Sequence, residues 1–174
     1  MSLALTEDHV ALADVVRSFL ADQKAHALAR AVLDDATTDI TPLWRDMAKL
    51  GWLGLHLPAN YGGDEAGLPE LAIVAEQLGR AVVPVPFLPT VVASSLIAGA
   101  ANDDVAQRLL PGLADGSRLG GLGLGGALAP TPAGTVSGDA GYVVGGRVAT
   151  LLALRAGDDV VIVDAAGAGV TVHA

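Results

Sequence analysis

The chain has 174 residues, 52% of them hydrophobic and 17% charged, so it carries enough apolar material for a buried core and is not generally disordered. Ten basic against nineteen acidic residues leave a net charge of −9, which repels polyanions and argues against a nucleic-acid partner. It has no cysteine, which excludes disulfides and thiolate chemistry, and nothing in the composition asks for an oxidising compartment.

The first two thirds read as helices. Thr6 is placed to cap a helix whose first turn holds Glu7 and Asp8, where acid meets the positive helix end. Leu12, Val15, Val16, Phe19 and Leu20 follow at i, i+3, i+4, i+7 and i+8, one apolar stripe. Thr41-Pro42 opens a second helix faced by Leu43, Met47 and Leu50 and ended by Gly51. Pro69 opens a third, with Leu71, Val74, Ala75 and Leu78 as its stripe and Gly79 as its stop. Thr90–Ala98 is a fourth, apolar nearly all round and so expected between layers; Pro84, Pro86 and Pro89 are expected to keep it from starting earlier. Asn102 caps a fifth that runs to about Leu110, before Pro111-Gly112. Trp52, Leu55, Leu71, Val74, Leu78 and Phe19 are expected in the core.

After Gly116 the texture changes to short, often β-branched runs between Gly, Asp and Pro clusters: Leu119–Leu124, Tyr142–Val144, Val148–Leu154, Val160–Val163 and Val170–His173. The expected class is therefore α+β: an all-α helical domain over 1–116, then an incomplete antiparallel β domain over 117–174. Two uncharged stretches, Val82–Ala101 and Leu119–Gly138, are broken by prolines and glycines, so no membrane insertion is expected. The run from Met1 to Asp8 has no basic region and reads as no signal peptide, which leaves the cytoplasm as the expected location.

Chemistry is harder to find. Gly121-Leu122-Gly123-Leu124-Gly125-Gly126 matches G-x-G-x-x-G, but Pro130 and Pro132 forbid the helix whose N-terminus would receive a pyrophosphate, so it reads as a Gly-rich strand and turn. His9, His26, His56 and His173 show no metal-ligand spacing, so no metal site is expected. No serine stands in a nucleophile elbow, and no catalytic constellation is visible.

One ordered run is more specific: Trp44, then Leu50-Gly51-Trp52-Leu53-Gly54-Leu55, Leu57-Pro58-Ala59-Asn60-Tyr61-Gly62-Gly63, Glu70, Glu76-Gln77-Leu78-Gly79-Arg80, Pro84-Val85-Pro86 and Gln107-Arg108-Leu109-Leu110-Pro111-Gly112-Leu113-Ala114-Asp115-Gly116. It resembles the N-terminal domain of acyl-CoA dehydrogenases, strongly to about Gly116 and weakly beyond. These residues determine a fold and carry no chemistry, so they support a family before an activity.

The resemblance implies a subunit of three parts, helical, β and helical, with FAD between the last two and α,β-dehydrogenation of an acyl-CoA thioester as the reaction. In the family a glutamate of the C-terminal domain takes the α-proton and the flavin takes the β-hydride. The base is thus expected beyond Ala174, and no residue of this chain is assigned as catalytic. The family's first β strand ends in Thr-Glu-Pro. Here Gly125-Gly126-Ala127, or in another register Ala129-Pro130-Thr131, takes that place, and Thr150-Leu151-Leu152-Ala153 stands where an aromatic and a Thr flank the flavin. Only backbone groups of Leu124, Gly125 and Gly126 are left as candidate FAD contacts. The resemblance further implies a homo- or hetero-oligomer, dimer or tetramer, in lipid catabolism. A weakened flavin site points to the flavin-poor partner of a heteromeric enzyme. The competing expectation is a non-catalytic helical interaction module.

Overall fold

A computed structural model describes residues 5–100 and 102–173; Met1–Ala4, Ala101 and Ala174, the outermost parts of runs read above, lie outside the described residues. The chain forms two compact units, Met1–Val85 and Pro86–Ala174.

The first unit holds α1 (Glu7–Asp22), α2 (Ala25–Asp34), α3 (Thr41–Lys49) and α4 (Leu68–Arg80). Thr6 caps α1 as expected, its hydroxyl accepting the His9 N–H. Val16 and Leu20 are buried, whereas Val15 is 58% exposed, because the stripe of α1 is narrower than its spacing implied. The core closes on Leu43, Trp44 and Met47 of α3, Trp52, Leu53 and Leu57 of the following loop, and Ile73, Val74 and Leu78 of α4. Leu50 lies exposed past the end of α3. Trp52, Val74 and Leu78 are buried as expected, while Phe19, Leu55 and Leu71 are half-buried. Phe19 meets Trp52 edge to face, with ring centroids 5.1 Å apart. The Leu57–Gly63 motif is a turn: a 3₁₀ segment, Ala59–Tyr61, leads to Gly63, where a side chain would collide with the Leu57 carbonyl. Helix α2 was not expected, since it has no side-chain N-cap and begins after Lys24 in the left-handed region.

The second unit begins with α5 (Phe87–Ala100) and α6 (Asp103–Ala114) and continues as β1 (Gly120–Pro130), β2 (Val136–Asp139), β3 (Leu151–Ala156) and β4 (Asp159–Asp164). Helix α5 starts ahead of Thr90, because Pro89 falls in the first turn, where its missing N–H needs no partner. Helix α6 continues through Pro111; the burial of Leu109, Leu110, Leu113 and Ala114 overrides the local penalty.

The sheet order is β2-β1-β3-β4. Two pairings are antiparallel, but β1 and β3 run parallel from Gly120↔Leu151 to Gly123↔Leu154, so the sheet is mixed. Val143 and Ala149, which occupy the chain between β2 and β3, lie over Gly121. Tyr142–Val144 makes a single bridge, Val144 to Leu122, in place of the expected strand. Val170–His173 forms no strand. Leu151, Leu152, Ala153 and Leu154 are all buried, as suits β3, which with β1 is one of the two inner strands.

Candidate functional site

Strand β1 begins under helix α5. A Cβ on Gly120 would lie 2.7 Å from the Thr90 Cα, so glycine allows the helix and the strand to touch. Thr90, buried on a mostly apolar helix, makes the joint polar: its hydroxyl donates to the Pro86 carbonyl at 2.6 Å and accepts the Gly120 N–H at 2.9 Å. The sequence marks Thr90 simply as a hydroxyl among apolar neighbours, and that was the available signal for this contact.

Beyond Gly123 the pairing with β3 shifts, and pairing with β2 starts at Ala127. Leu124, Gly125 and Gly126, the expected cofactor contacts, occupy the irregular stretch between. All three are exposed, Leu124 by 54%. A side chain on Gly125 would face open space. Gly126 has φ +79°, and a Cβ there would meet the Asp139 carbonyl oxygen, so the bulge requires glycine.

The nearby polar side chains are engaged elsewhere. Thr131 and Thr135 share a 2.7 Å hydroxyl contact that closes the β1–β2 turn. The Thr150 hydroxyl accepts the Leu119 N–H at 3.0 Å, ahead of β3. The Asp139 carboxylate accepts the Gly141 N–H at 2.7 Å.

His9 closes the α1 cap and touches Glu70 at 3.1 Å. His26 and His173 are exposed, and burial of His56 lowers its pKa below the ordinary imidazole value. Among the described residues no three His, Cys, Asp or Glu converge as a metal site, and no helix is long and apolar enough to cross a membrane.

This architecture has known counterparts. Residues 6–117 match the family model for the acyl-CoA dehydrogenase N-terminal domain. The chain belongs to the acyl-CoA dehydrogenase family. Acyl-CoA dehydrogenase FadE12 of Mycobacterium tuberculosis is 36% identical to it over 116 residues, 64% of this chain and 29% of that protein. Among solved structures, the ChsE4–ChsE5 complex of M. tuberculosis aligns with TM-score 0.81 and 27% identity, over 100% of this chain and 51% of that chain. A variant of the Tcur3481–Tcur3483 steroid ACAD aligns with TM-score 0.75 and 31% identity, over 94% of this chain and 49% of that one. The chain thus spans about half, or less, of the length of these acyl-CoA dehydrogenases.

FAD, which accompanies solved members of this fold, presents a polar rim of ring nitrogens and oxygens, ribityl hydroxyls and phosphates. On Leu124–Gly126 that rim would find one leucine side chain and bare backbone. The side chains of this strand do not fit the group.

Proposed function

We propose that this chain is the helical and first β portion of a subunit in a heteromeric, FAD-linked acyl-CoA dehydrogenase, and that a different subunit holds the flavin. The single observation that carries the reading is the Leu124–Gly126 bulge, where Gly125 and Gly126 offer only backbone in place of the family pattern's hydroxyl and carboxylate; in the other register Ala129 and Pro130 take that place and likewise supply neither. Each net hydrogen bond lost costs ~0.5–1.5 kcal/mol, and three together weaken binding roughly 10- to 1000-fold. Two solved relatives named above are complexes of paired chains, which supports the assembly. One of them is a steroid enzyme, which supports a bulky, ring-bearing acyl-CoA ester as the substrate class. The reaction is α,β-dehydrogenation of the thioester, and its base lies outside residues 1–174. The helical domain spans 1–116 and the β portion 117–174, in a cytoplasmic protein.

The test is visible flavin absorbance per subunit after gel filtration. The subunit expressed alone should carry little flavin, and coexpression with an intact partner should give a yellow complex with about half of its sites filled. One flavin per subunit without a partner would overturn the heteromeric reading and leave a homo-oligomeric acyl-CoA dehydrogenase.

A further inference from the structure

A cavity of about 640 Å³ opens between helix α6 and strands β3 and β4, and none of Leu124, Gly125 and Gly126 lines it. Its size is that of a small-molecule site. One face of α6 lines it, with Val105, Arg108 and Leu109 at i, i+3 and i+4. The opposite wall is Leu151 and Ile162, and Arg118 and Asp164 complete the rim.

Arg118 is held in place. Its backbone N–H donates to the Gly112 carbonyl at 2.7 Å, and its Cγ and Cδ lie 3.0 Å from where a Gly112 Cβ would stand, so the missing side chain seats the arginine stem. Gly112 is one helical turn beyond Arg108, so both guanidiniums come to one side of α6. Among the described residues neither guanidinium forms an ion pair, in a chain of net charge −9. One Asp164 oxygen accepts the Ala166 N–H, which keeps its carboxylate at the rim.

We propose that this cavity binds an organic monoanion, a carboxylate on an apolar body. The two guanidiniums receive the carboxylate in the manner for which arginine is suited, and the partly exposed Val105 and Ile162 cover the body. Two positive groups against one negative leave a single positive charge to match. A phosphate dianion would face Asp164 with a charge to spare.

The probe is sodium decanoate, titrated calorimetrically into the chain below its micelle concentration, with decanamide and decyl phosphate as the other arms. Decanoate should bind saturably at one site, about ten- to a hundredfold more tightly than decanamide, and more weakly as salt rises. Arg108→Gln with Arg118→Gln should remove that preference. Ile162→Trp should abolish binding while both arginines remain. Circular dichroism shows whether each variant folds, and if one does not, the comparison of decanoate with decanamide on the unaltered chain still decides. No saturable decanoate binding, equal affinity for the amide, or decyl phosphate binding tenfold more tightly would each overturn the proposal.

Discussion

His9 shows how one side chain can join two helices. Its Nδ1 accepts the Thr6 N–H at 3.1 Å, so the ring proton sits on Nε2 and points at Glu70 Oε1, also at 3.1 Å. The cap of α1 and the first turn of α4 are therefore one hydrogen-bonded unit. The Glu70 carboxyl is held below its ordinary pKa of 4.5, first by its own backbone N–H and then by His9. A depressed carboxyl pKa gives stability that is complete above 4.5 and is lost as pH falls through the folded value. Glu70→Gln should accordingly lower Tm at neutral pH, and the gap from the unaltered chain should close as pH is taken below 4.5. Thermal melts across pH check this, and a gap that widens in acid would mean that Glu70 acts through packing and not through its charge. The sequence showed Thr6 as a cap but not its partner: a capping box ordinarily ends in Glu or Gln, and His fills that place here.

Among the helices, the ends were the least legible part. Helix α4 passes Gly79 and closes in a Schellman arrangement, with Val83 N–H to the Leu78 carbonyl and Val82 N–H to that of Gly79, both at 3.0 Å. The residue that must turn left-handed is Val82, at φ +51°, where glycine is usual and a β-branched side chain is strained. Gly79 looked like the stop, yet it is spaced three residues too early to take the left-handed position. Val82 is 64% exposed, so Val82→Gly should relieve the strain with little lost packing and stabilise the chain by roughly 0.5–1 kcal/mol in urea unfolding. A loss of stability would show that the valine side chain makes contacts that outweigh its backbone. Helix α2 escaped notice for the opposite reason: it carries no cap, acid or proline signal at its start. Pro111 and Pro89 look like breaks because local propensity cannot register the burial that carries a helix through or the first-turn position that makes proline harmless.

Across the whole molecule, the fold class was legible because helical stripes and β-branched runs separate cleanly along the chain. The parallel β1–β3 pairing was not, since nothing local distinguishes a strand that pairs with its neighbour from one that pairs across an excursion. For the proposed site the sequence offers Leu124–Gly126 as a Gly-rich stretch with no polar side chain, whereas the irregular pairing there and the engagement of Thr131, Thr135 and Thr150 depend on tertiary contacts that no local pattern carries. The same region carries apolar exposure: Tyr142 is 99% exposed, Val144 61% and Leu124 54%. Exposed apolar side chains of this kind favour association. Leu124→Ser with Tyr142→Ser should leave thermal stability within about 0.5 kcal/mol and reduce self-association in sedimentation velocity. An unchanged sedimentation profile would move the contact surface elsewhere.

The parallel seam also sets an order of events in folding. The β3–β4 hairpin closes through Gly157-Asp158, with Gly157 at φ +66°, and the β1–β2 hairpin closes through its threonine turn; such hairpins form in ~1–10 μs. Joining them requires positions 120 and 151 to meet, a non-local closure that comes late and slowly. Until then β1 and β3 are two bare edges in the same chain, open to pairing in the wrong direction or with another molecule. Leu152→Ala, at the buried middle of the seam, should therefore slow refolding in stopped-flow measurements. Faster unfolding with unchanged refolding would put closure after the barrier, and the two edges would then stay bare through the whole of the rate-limiting step.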